Sequence, residues 1–451
     1  MNGAAYIYVR SSFGRFWGWM VAFMQYISLP FVITLQILML IRGTFSPEFA
    51  SEAWSWYSIH WGAFSDLYLD LLGVLLIYLL ASSTFFWGIK VYKKVTNISG
   101  IVKWFTAGFL VVAGISLALS QGSTNWHYWV NNSTLNFNGF MNSFISCFFF
   151  FAGFELFATA GKNINNPEKN IGKRITLIVL ICTIFYIVIS VIFFAVYSQF
   201  QQNMNMGSWL SFNNKIILYG GPIIMIISGL ALKINLGMQN SLYGGTVLQP
   251  LSKEGYISDK LFILNKDGLP MKAILLNLWI TVIMIFCWLI IPDLIKGFWL
   301  TNHPGKTYHS ALDVSSLTSA SSVITTFIYM MVVLTTLKLT FIRKLKLKVW
   351  ELLLFIMVFF FLGLILFWHY YSLIRDTVAQ LRTNPDDTSP LVGMIVEFVF
   401  IIATITFALL WYKFYYLPKY EKRLVNKPHI QERLNQDFVL NIEHLVTFNQ
   451  E

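Results

Sequence analysis

The sequence has 451 residues, of which 56% are hydrophobic and 12% are charged, and its formal net charge at pH 7 is +11. Soluble globular chains carry about 25% charged residues, and their helices keep one polar face, so this composition excludes a soluble protein. The positive charges lie between long apolar segments and form no single basic patch, which excludes nucleic acid as a partner and makes the charge an indicator of membrane topology.

About ten apolar segments are long enough to cross a bilayer, which requires about 20 helical residues. They predict an all-α, multi-pass membrane protein with one transmembrane domain in residues 1–415 and a cytoplasmic tail in residues 416–451. The sixth segment is too long for a simple span, and we expect its helix to continue past the membrane surface. In chain order the predicted spans are Gly14–Ile41, Leu67–Gly88, Ile101–Ser120, Gly139–Thr159, Ile175–Ser198, Ile216–Gln249, Lys272–Ile291, Ala311–Leu337, Val349–Tyr371 and Leu391–Phe414.

The basic residues also predict the orientation of the chain. With alternating spans, most lysines and arginines fall in the loops of one side, for example Lys93 and Lys94 before the third span and Lys346 and Lys348 before the ninth. Cytoplasmic loops are enriched in Lys and Arg, so we expect both termini to be cytoplasmic and the protein to lie in the cell membrane.

Residue patterns that enzymes and metal sites require are missing from this sequence. The seven histidines are scattered, without the H-E-x-x-H spacing of zinc sites, and the chain has no P-loop and no C-x-x-C. The three cysteines fall on apolar segments, which is typical of packing thiols. We predict no enzyme activity, no metal and no cofactor.

The most informative stretch is Ser146–Arg174, where Gly153 interrupts an apolar helix two residues before Glu155. Glycine lets the backbone leave helical geometry at little cost, and a break at membrane depth is tolerated only where it faces a cavity or a ligand. An intramembrane carboxylate is also a candidate functional group. The pattern fits equally well with close packing of Gly153 against a neighbouring helix, and the residues alone leave both interpretations open.

This stretch resembles the sixth transmembrane helix and the following loop of the amino acid–polyamine–organocation permeases, whose pattern is an aromatic run, G-F-E and a polar spacer ending in N-P-x-x-N. Ala4–Met20 resembles the loop into that family's third helix, although Ala4-Ala5 replaces a Gly-Gly pair. Thr246–Pro270 resembles the stretch after its eighth helix, although Thr246 replaces the usual arginine. The matching positions of the first stretch are Phe154, Glu155, Asn166, Pro167, Glu168, Lys169 and Asn170.

The resemblance implies a LeuT-like inverted-repeat transporter fold, usually of twelve helices, with the substrate bound at the midplane between broken helices. This sequence begins where the family's second helix ends, so the first family helix, which binds the amino and carboxylate groups of the substrate, has no counterpart here. We favour a start codon placed too far downstream. The other interpretations are a second polypeptide that completes the site and a degenerate product.

The resemblance also assigns candidate site residues. The backbone groups of Phe151, Ala152 and Gly153 are expected to face the substrate, since exposed amides at the end of a half-helix favour a carboxylate. Phe154 is expected to line the path. Glu155 is expected to act as a gate or as a proton-linked carboxylate.

Two lysines are further candidates. Lys233 lies inside the sixth predicted span and forms, with Gly237, Asn240 and Gly244, a polar and small stripe at helical spacing. We predict that Asn240 binds substrate and that Lys233 contacts substrate or exchanges protons; the alternatives for Lys233 are a structural ion pair and a side chain extending to the interface. Lys103 resembles a lysine that takes the place of sodium in some proton-coupled permeases, but it also fits a cytoplasmic anchor.

We therefore predict a secondary active transporter that moves amino acids or related amines by alternating access, as a proton-coupled symporter or an exchanger. The alternative is a non-transporting remnant or partner subunit that keeps the permease fold. The expected partners are a small-molecule substrate, the lipid bilayer and protons, and the sequence gives no oligomeric state.

Overall fold

A computed structural model describes residues 4–37, 62–79, 82, 86–121, 124–132, 137, 139–141, 143–144, 167–196, 215–266, 268–303, 314–383 and 389–426. All regular structure in these ranges is helical. Three π-helical segments (Val74–Leu79, Phe286–Ile290 and Trp411–Tyr416) and two short 3₁₀ turns (Gly62–Phe64 and Asp259–Phe262) adjoin the α-helices. The α-helices are α1 (Ala4–Phe13), α2 (Arg15–Ile37), α3 (Ser65–Gly73), α4 (Ile89–Gln121), α5 (Thr124–Asn132), α6 (Pro167–Val196), α7 (Lys215–Lys253), α8 (Met271–Ile285), α9 (Ile291–Asn302), α10 (Val314–Phe341), α11 (Val349–Thr383), α12 (Ser389–Leu410) and α13 (Leu417–Asn426).

Seven helical segments among the described residues are long and apolar enough to cross a membrane, which confirms the multi-pass, all-α prediction. The predicted span Gly139–Thr159 lies mostly outside the described residues. Helix α7 has 39 residues and is therefore about 58 Å long at 1.5 Å per residue. That length exceeds the roughly 30 Å hydrocarbon core, in keeping with the expectation for the sixth predicted span. The seven segments are Arg15–Ile37, Ile89–Ser120, Gly172–Val196, Met271–Asn302, Thr318–Phe341, Val349–Thr383 and Pro390–Lys422.

Several helices are longer than their apolar segments. Helix α4 starts at Ile89, twelve residues before the predicted span, and includes Lys90, Lys93 and Lys94. The polar ends were not counted as span because charged residues do not enter the hydrocarbon core. These polar ends can still be helical outside the hydrocarbon core, since Lys is a good helix former in water.

Helix α2 lies at the centre of the bundle, and helix α6 lies at its rim. Most side chains of α2 are buried, with Val21 and Leu35 fully inaccessible, and the helix packs against α7, α8, α10 and α12. In contrast, the most apolar window of α6 has no buried residue. A helix that is apolar on all sides is stable in either place, because lipid and protein interior are both apolar solvents.

Helix α1 folds back onto the start of α2. Gly14 joins the two helices with φ +87°, a left-handed conformation that glycine adopts without steric cost. One turn later, a Cβ on Gly18 would lie 2.7 Å from Cβ of Arg10, so only glycine permits this approach. The turn brings Arg10 and Tyr6 to the end of α7, where Arg10 Nη1 lies 2.5 Å from Glu254 Oε1.

Candidate functional site

Polar side chains meet α2 at the centre of the bundle, next to its internal proline. Asn240 on α7 is 8% exposed, and its Nδ2 donates a hydrogen bond to the carbonyl oxygen of Leu29 at 3.2 Å. Pro30 follows Leu29 inside α2; a proline there removes one helical hydrogen bond and bends the helix locally. The amide of Asn240 thus binds a carbonyl of α2 beside its internal proline.

Helix α8 adds a second amide to this contact. Asn277 is 2% exposed, and its Nδ2 donates a long hydrogen bond of 3.5 Å to the carbonyl oxygen of Asn240. The close approach depends on Gly244, because a Cβ there would lie 2.3 Å from Cγ of Asn277. Thr281 donates to the main-chain oxygen of Asn277 at 2.8 Å, which leaves the side chain of Asn277 turned toward α7.

Tyrosine and serine side chains extend the contact toward residues 78 and 82. The hydroxyl of Tyr78 donates to the main-chain oxygens of Asn277 and Leu278 at 3.5 and 3.4 Å. The hydroxyls of Ser82 and Ser241 lie 3.0 Å apart, and both residues are buried. We call Leu29, Tyr78, Ser82, Asn240, Ser241 and Asn277 the central polar cluster.

Two buried polar atoms in or beside the central polar cluster have no hydrogen-bond partner among the described residues. They are Oδ1 of Asn277 and the hydroxyl oxygen of Tyr26 on α2, which is 4% exposed. Tyr26 interacts electrostatically with Tyr78 and therefore belongs to the same region. A buried polar atom without a partner costs about 1–3 kcal/mol, and lipid supplies no compensating donor or acceptor. Such atoms are suited to bind water or a polar solute.

The stripe predicted on α7 faces the interior of the bundle. Gly237, Asn240 and Gly244 are buried, whereas Lys233, at the outer end of the stripe, is partly buried. A helix with this pattern presents small and polar groups to its neighbours and its larger apolar groups elsewhere. The structure thus places Asn240 in a polar contact but gives Lys233 no ion pair within the described residues.

Lys103 and Lys233 lie near one contact between α4 and α7. Asn235 Nδ2 donates to the carbonyl oxygen of Thr96 at 3.0 Å and to the hydroxyl of Ser99 at 2.8 Å. Lys103 follows Ser99 by four residues, and Lys233 precedes Asn235 by two, so both lie within about one helical turn of this contact. The ammonium of Lys103 lies 5.7 Å from the ring centre of the exposed Trp104.

Five candidates fall outside the described residues: Phe151, Ala152, Gly153, Phe154 and Glu155. Of the motif that follows them, Pro167 begins α6, and Glu168, Lys169 and Asn170 lie in its first turn.

Sequence reasoning missed Tyr26, Tyr78, Ser82 and Asn277. Asn277 carried a readable signal, since an isolated amide inside an apolar segment is costly in a membrane and points to the bundle interior. Tyr78 and Ser82 carried none, because tyrosine and serine are common at membrane interfaces and in helix packing.

The hydroxyl-rich face of α10 packs the helix and is not part of the cluster. Thr325 and Thr326 are buried, and each donates to the carbonyl oxygen four residues earlier, at 3.0 and 2.8 Å. Hydroxyls satisfied by their own helix let it approach α2 closely.

Comparison with known proteins places this arrangement in context. The family model described as "Amino acid permease" matches residues 2–424. A branched-chain amino acid permease of Bacillus subtilis is 31% identical over 105 residues, which are 23% of this chain and 21% of that protein. An S-adenosylmethionine permease of Candida albicans is 26% identical over 200 residues, 42% of this chain and 33% of that protein. An L-asparagine permease of Salmonella typhimurium is 23% identical over 252 residues, 52% of this chain and 49% of that protein. The chain thus spans less than half the length of each of these relatives.

Proposed function

This chain belongs to the amino acid permease family, and on that premise we propose that it moves amino acids or related amines across the cell membrane by alternating access. The central polar cluster is the observation that supports this proposal best. Two buried amides and buried hydroxyls converge beside Pro30 of α2 in the interior of the bundle. Polar residues inside a membrane bundle face its interior or a water-filled cavity and often mark a substrate path.

The relatives suggest which part of the substrate is recognised. Their names refer to branched-chain amino acids, S-adenosylmethionine and L-asparagine, which share an α-amino and an α-carboxylate group but differ in the side chain. We infer that the present chain binds the shared groups in a similar way, and that its own residues around the cluster select the side chain. Amides such as Asn240 and Asn277 suit this task because they both donate and accept.

The candidate roles from the sequence remain part of the proposal. The backbone at Phe151, Ala152 and Gly153 offers donors to the substrate carboxylate, Phe154 lines the path and Glu155 acts as a gate or proton carrier. Asn240 fixes the substrate next to α2. Lys103 acts as a proton-linked group, and Lys233 contacts the substrate or exchanges protons. Both lie beside the contact between Asn235 and Ser99.

Orientation and coupling are also proposed. The positive-inside pattern supports cytoplasmic termini in the cell membrane, and proton-coupled symport or exchange supplies the driving force.

Uptake into proteoliposomes tests the function directly. Purified protein is reconstituted, and uptake of radiolabelled amino acids is measured with and without an inward proton gradient and with unlabelled competitors. We expect saturable uptake that falls when Asn240→Ala is introduced, whereas Asn302→Ala, an exposed asparagine at the end of α9, leaves uptake unchanged. Correctly folded protein that transports no amino acid or amine would favour the non-transporting alternative instead.

A further inference from the structure

Helices α11 and α12 carry a buried ionisable pair far from the residues considered so far. His369 Nε2 lies 2.8 Å from Glu397 Oε1, and the side chains are 10% and 2% exposed. Both helices are long enough to span a membrane. Ionisable side chains inside a membrane are costly and are usually functional, so the pair requires an explanation beyond packing.

The pair lies near one surface of the membrane. Six residues after His369 on α11, Arg375 and Asp376 form an ion pair with side chains 37% and 56% exposed, which marks the aqueous side about 9 Å further along the helix. Glu397 is eight residues into α12 and therefore about 12 Å from its start at Ser389. On the orientation proposed above, this is the outer surface.

Two buried hydroxyl-bearing side chains follow His369 on α11. Ser372 and Thr377 follow His369 on α11 and are 3% and 4% exposed. The hydroxyl of Ser372 donates to the carbonyl oxygen of His369 at 3.0 Å. Ser372 thus places a hydroxyl group about one helical turn from His369 on the side of that surface. Trp368, the residue before His369, packs against the rings of Phe137 and Tyr371.

The other charged groups on adjacent elements lie at the opposite end. Lys338 donates to the carbonyl oxygen of Ser12 at 2.5 Å, and Arg15 lies over the ring of Tyr420 at 4.2 Å. Tyr370, whose ring centre is 5.3 Å from that of His369, interacts electrostatically with Glu397. Within the described residues, the titratable or charged side chains on helices packed against the pair are Glu351, Tyr370, Tyr371, Arg375, Asp376 and Arg382 on α11, Tyr329 and Lys338 on α10, and Arg15 and Tyr26 on α2.

We propose that His369 and Glu397 form a proton-binding site, open to the aqueous phase at this end of α11. With a proton on His369 and Glu397 ionised, the pair has no net charge. When the proton leaves, a single negative charge remains buried, which is unfavourable in a low-dielectric site. Histidine is the side chain whose charge ordinarily changes between about pH 5 and 8.

One aromatic contact joins α12, the helix of Glu397, to α2 beside the central polar cluster. Phe400 lies one helical turn after Glu397 and stacks on Phe31 of α2, with ring centres 4.5 Å apart. Phe31 follows Leu29 by two residues, and the carbonyl of Leu29 accepts the hydrogen bond of Asn240. A shift of α12 on proton loss therefore acts on α2 beside the cluster. The pair would thus adjust the transport rate to the external pH, an inference that rests on the proposed transport function.

Thermal unfolding in detergent tests proton binding without reference to transport. The unfolding midpoint is measured between about pH 5 and 8 for the wild type, His369→Gln, Glu397→Gln and the double variant. Exposed His303, the residue directly after α9, supplies the matched control His303→Gln. We expect the wild type and the control to share a pH-dependent shift of the midpoint. The double variant has no group in the pair that binds a proton, so the shift is expected to be lost there. Each single variant keeps one ionisable group of the pair, so its shift is expected to occur at a different pH. Identical pH profiles in all five proteins would overturn the proposal.

Uptake into proteoliposomes tests the link to transport. With internal pH fixed, the uptake rate of the wild type is expected to change several-fold as external pH passes through the same range, and the change is expected to be lost in the double variant. A purely structural pair would lower uptake equally at every pH, and that outcome would overturn the regulatory role. A wild type that shows the unfolding profile but transports nothing would refute the proposed function and leave the proton site supported.

Discussion

Asn277 of α8 lies directly on Gly244 of α7, so closely that a Cβ on Gly244 would stand 2.3 Å from the Oδ1 atom of Asn277. The two residues are 33 positions apart in the chain, and their contact sets the distance between the helices at the central polar cluster. A glycine in the middle of a helix costs about 1 kcal/mol relative to alanine. Here that cost is the condition for two amides to meet at membrane depth.

The first prediction concerns this contact. Gly244→Ala is expected to push α8 away from α7, to destabilise the protein by about 2 kcal/mol through overpacking and to lower uptake. Gly363→Ala on α11 is the control, because the nearest atom to its added Cβ is Cε of Met330 at 3.8 Å. The unfolding midpoint in detergent measures the difference. Equal midpoints for the two variants would show that the helices separate without cost.

The second prediction separates binding from folding at Asn277. The main-chain oxygen of Asn277, not its side chain, accepts the hydrogen bonds of Tyr78 and Thr281, so Asn277→Leu leaves both in place. Because the variant removes a buried oxygen without a partner among the described residues, we expect an unchanged or higher unfolding midpoint. Uptake is expected to fall about tenfold, the effect of one hydrogen bond to a charged substrate group. Uptake at the wild-type rate would exclude the side chain from the transport path.

The sequence predicted those features that depend on local pattern. The all-α fold, the long helix α7 and seven of the ten predicted spans follow from hydropathy and helical periodicity, which are properties of neighbouring residues. The contact of Asn277 with Gly244 and the hydrogen bond from Asn240 to Leu29 join distant segments, and no local pattern encodes which helix lies opposite which. Family resemblance located Phe151 to Glu155, yet these residues lie outside the described part of the chain, so their roles stay predictions.

The third prediction concerns the ion pair between α1 and the end of α7. Burial raises the pKa of Glu254 from its ordinary value of 4.5, and the charge of Arg10 opposes this effect. Arg10→Met removes the opposing charge, so the pKa rises further. A carboxyl group with a raised pKa in the folded state stabilises the fold below its unfolded pKa, and that stabilisation is lost as the pH rises through the folded value.

The midpoint of Arg10→Met is therefore expected to fall progressively below that of the wild type as the pH increases from 4.5 toward neutrality. The double variant Arg10→Met/Glu254→Gln, which has no carboxylate to ionise, serves as the control and is expected to lose this pH dependence. A constant difference between Arg10→Met and the wild type at all pH values would contradict the argument.

The fourth prediction compares two ion pairs of different exposure. Lys296 and Asp66 join α9 to α3 at 2.6 Å, with side chains 24% and 21% exposed. Arg375 and Asp376 are adjacent in sequence and more exposed. In a double-mutant cycle, the Lys296–Asp66 pair is expected to contribute about 1 kcal/mol, because it joins two elements and is partly shielded from solvent. The Arg375–Asp376 pair is expected to contribute nothing measurable, and a larger coupling there would reverse this ranking.

The fifth prediction asks whether Lys103 or Lys233 carries the proton. Both lie within about one helical turn of the contact between Asn235 and Ser99. If substitution only disturbed this contact, both variants would lower uptake to a similar extent. Only the loss of a proton carrier changes how uptake depends on the pH gradient. We expect Lys103→Met to abolish uptake driven by an inward proton gradient while exchange of internal for external substrate continues. Lys233→Met is expected to lower gradient-driven uptake and exchange by about tenfold through weaker substrate binding.

Lys346→Met, at an exposed lysine in the loop before α11, controls for the loss of one positive charge. Unchanged uptake in Lys233→Met would remove that lysine from the mechanism, and wild-type uptake that requires sodium and ignores the pH gradient would remove the proton role of Lys103.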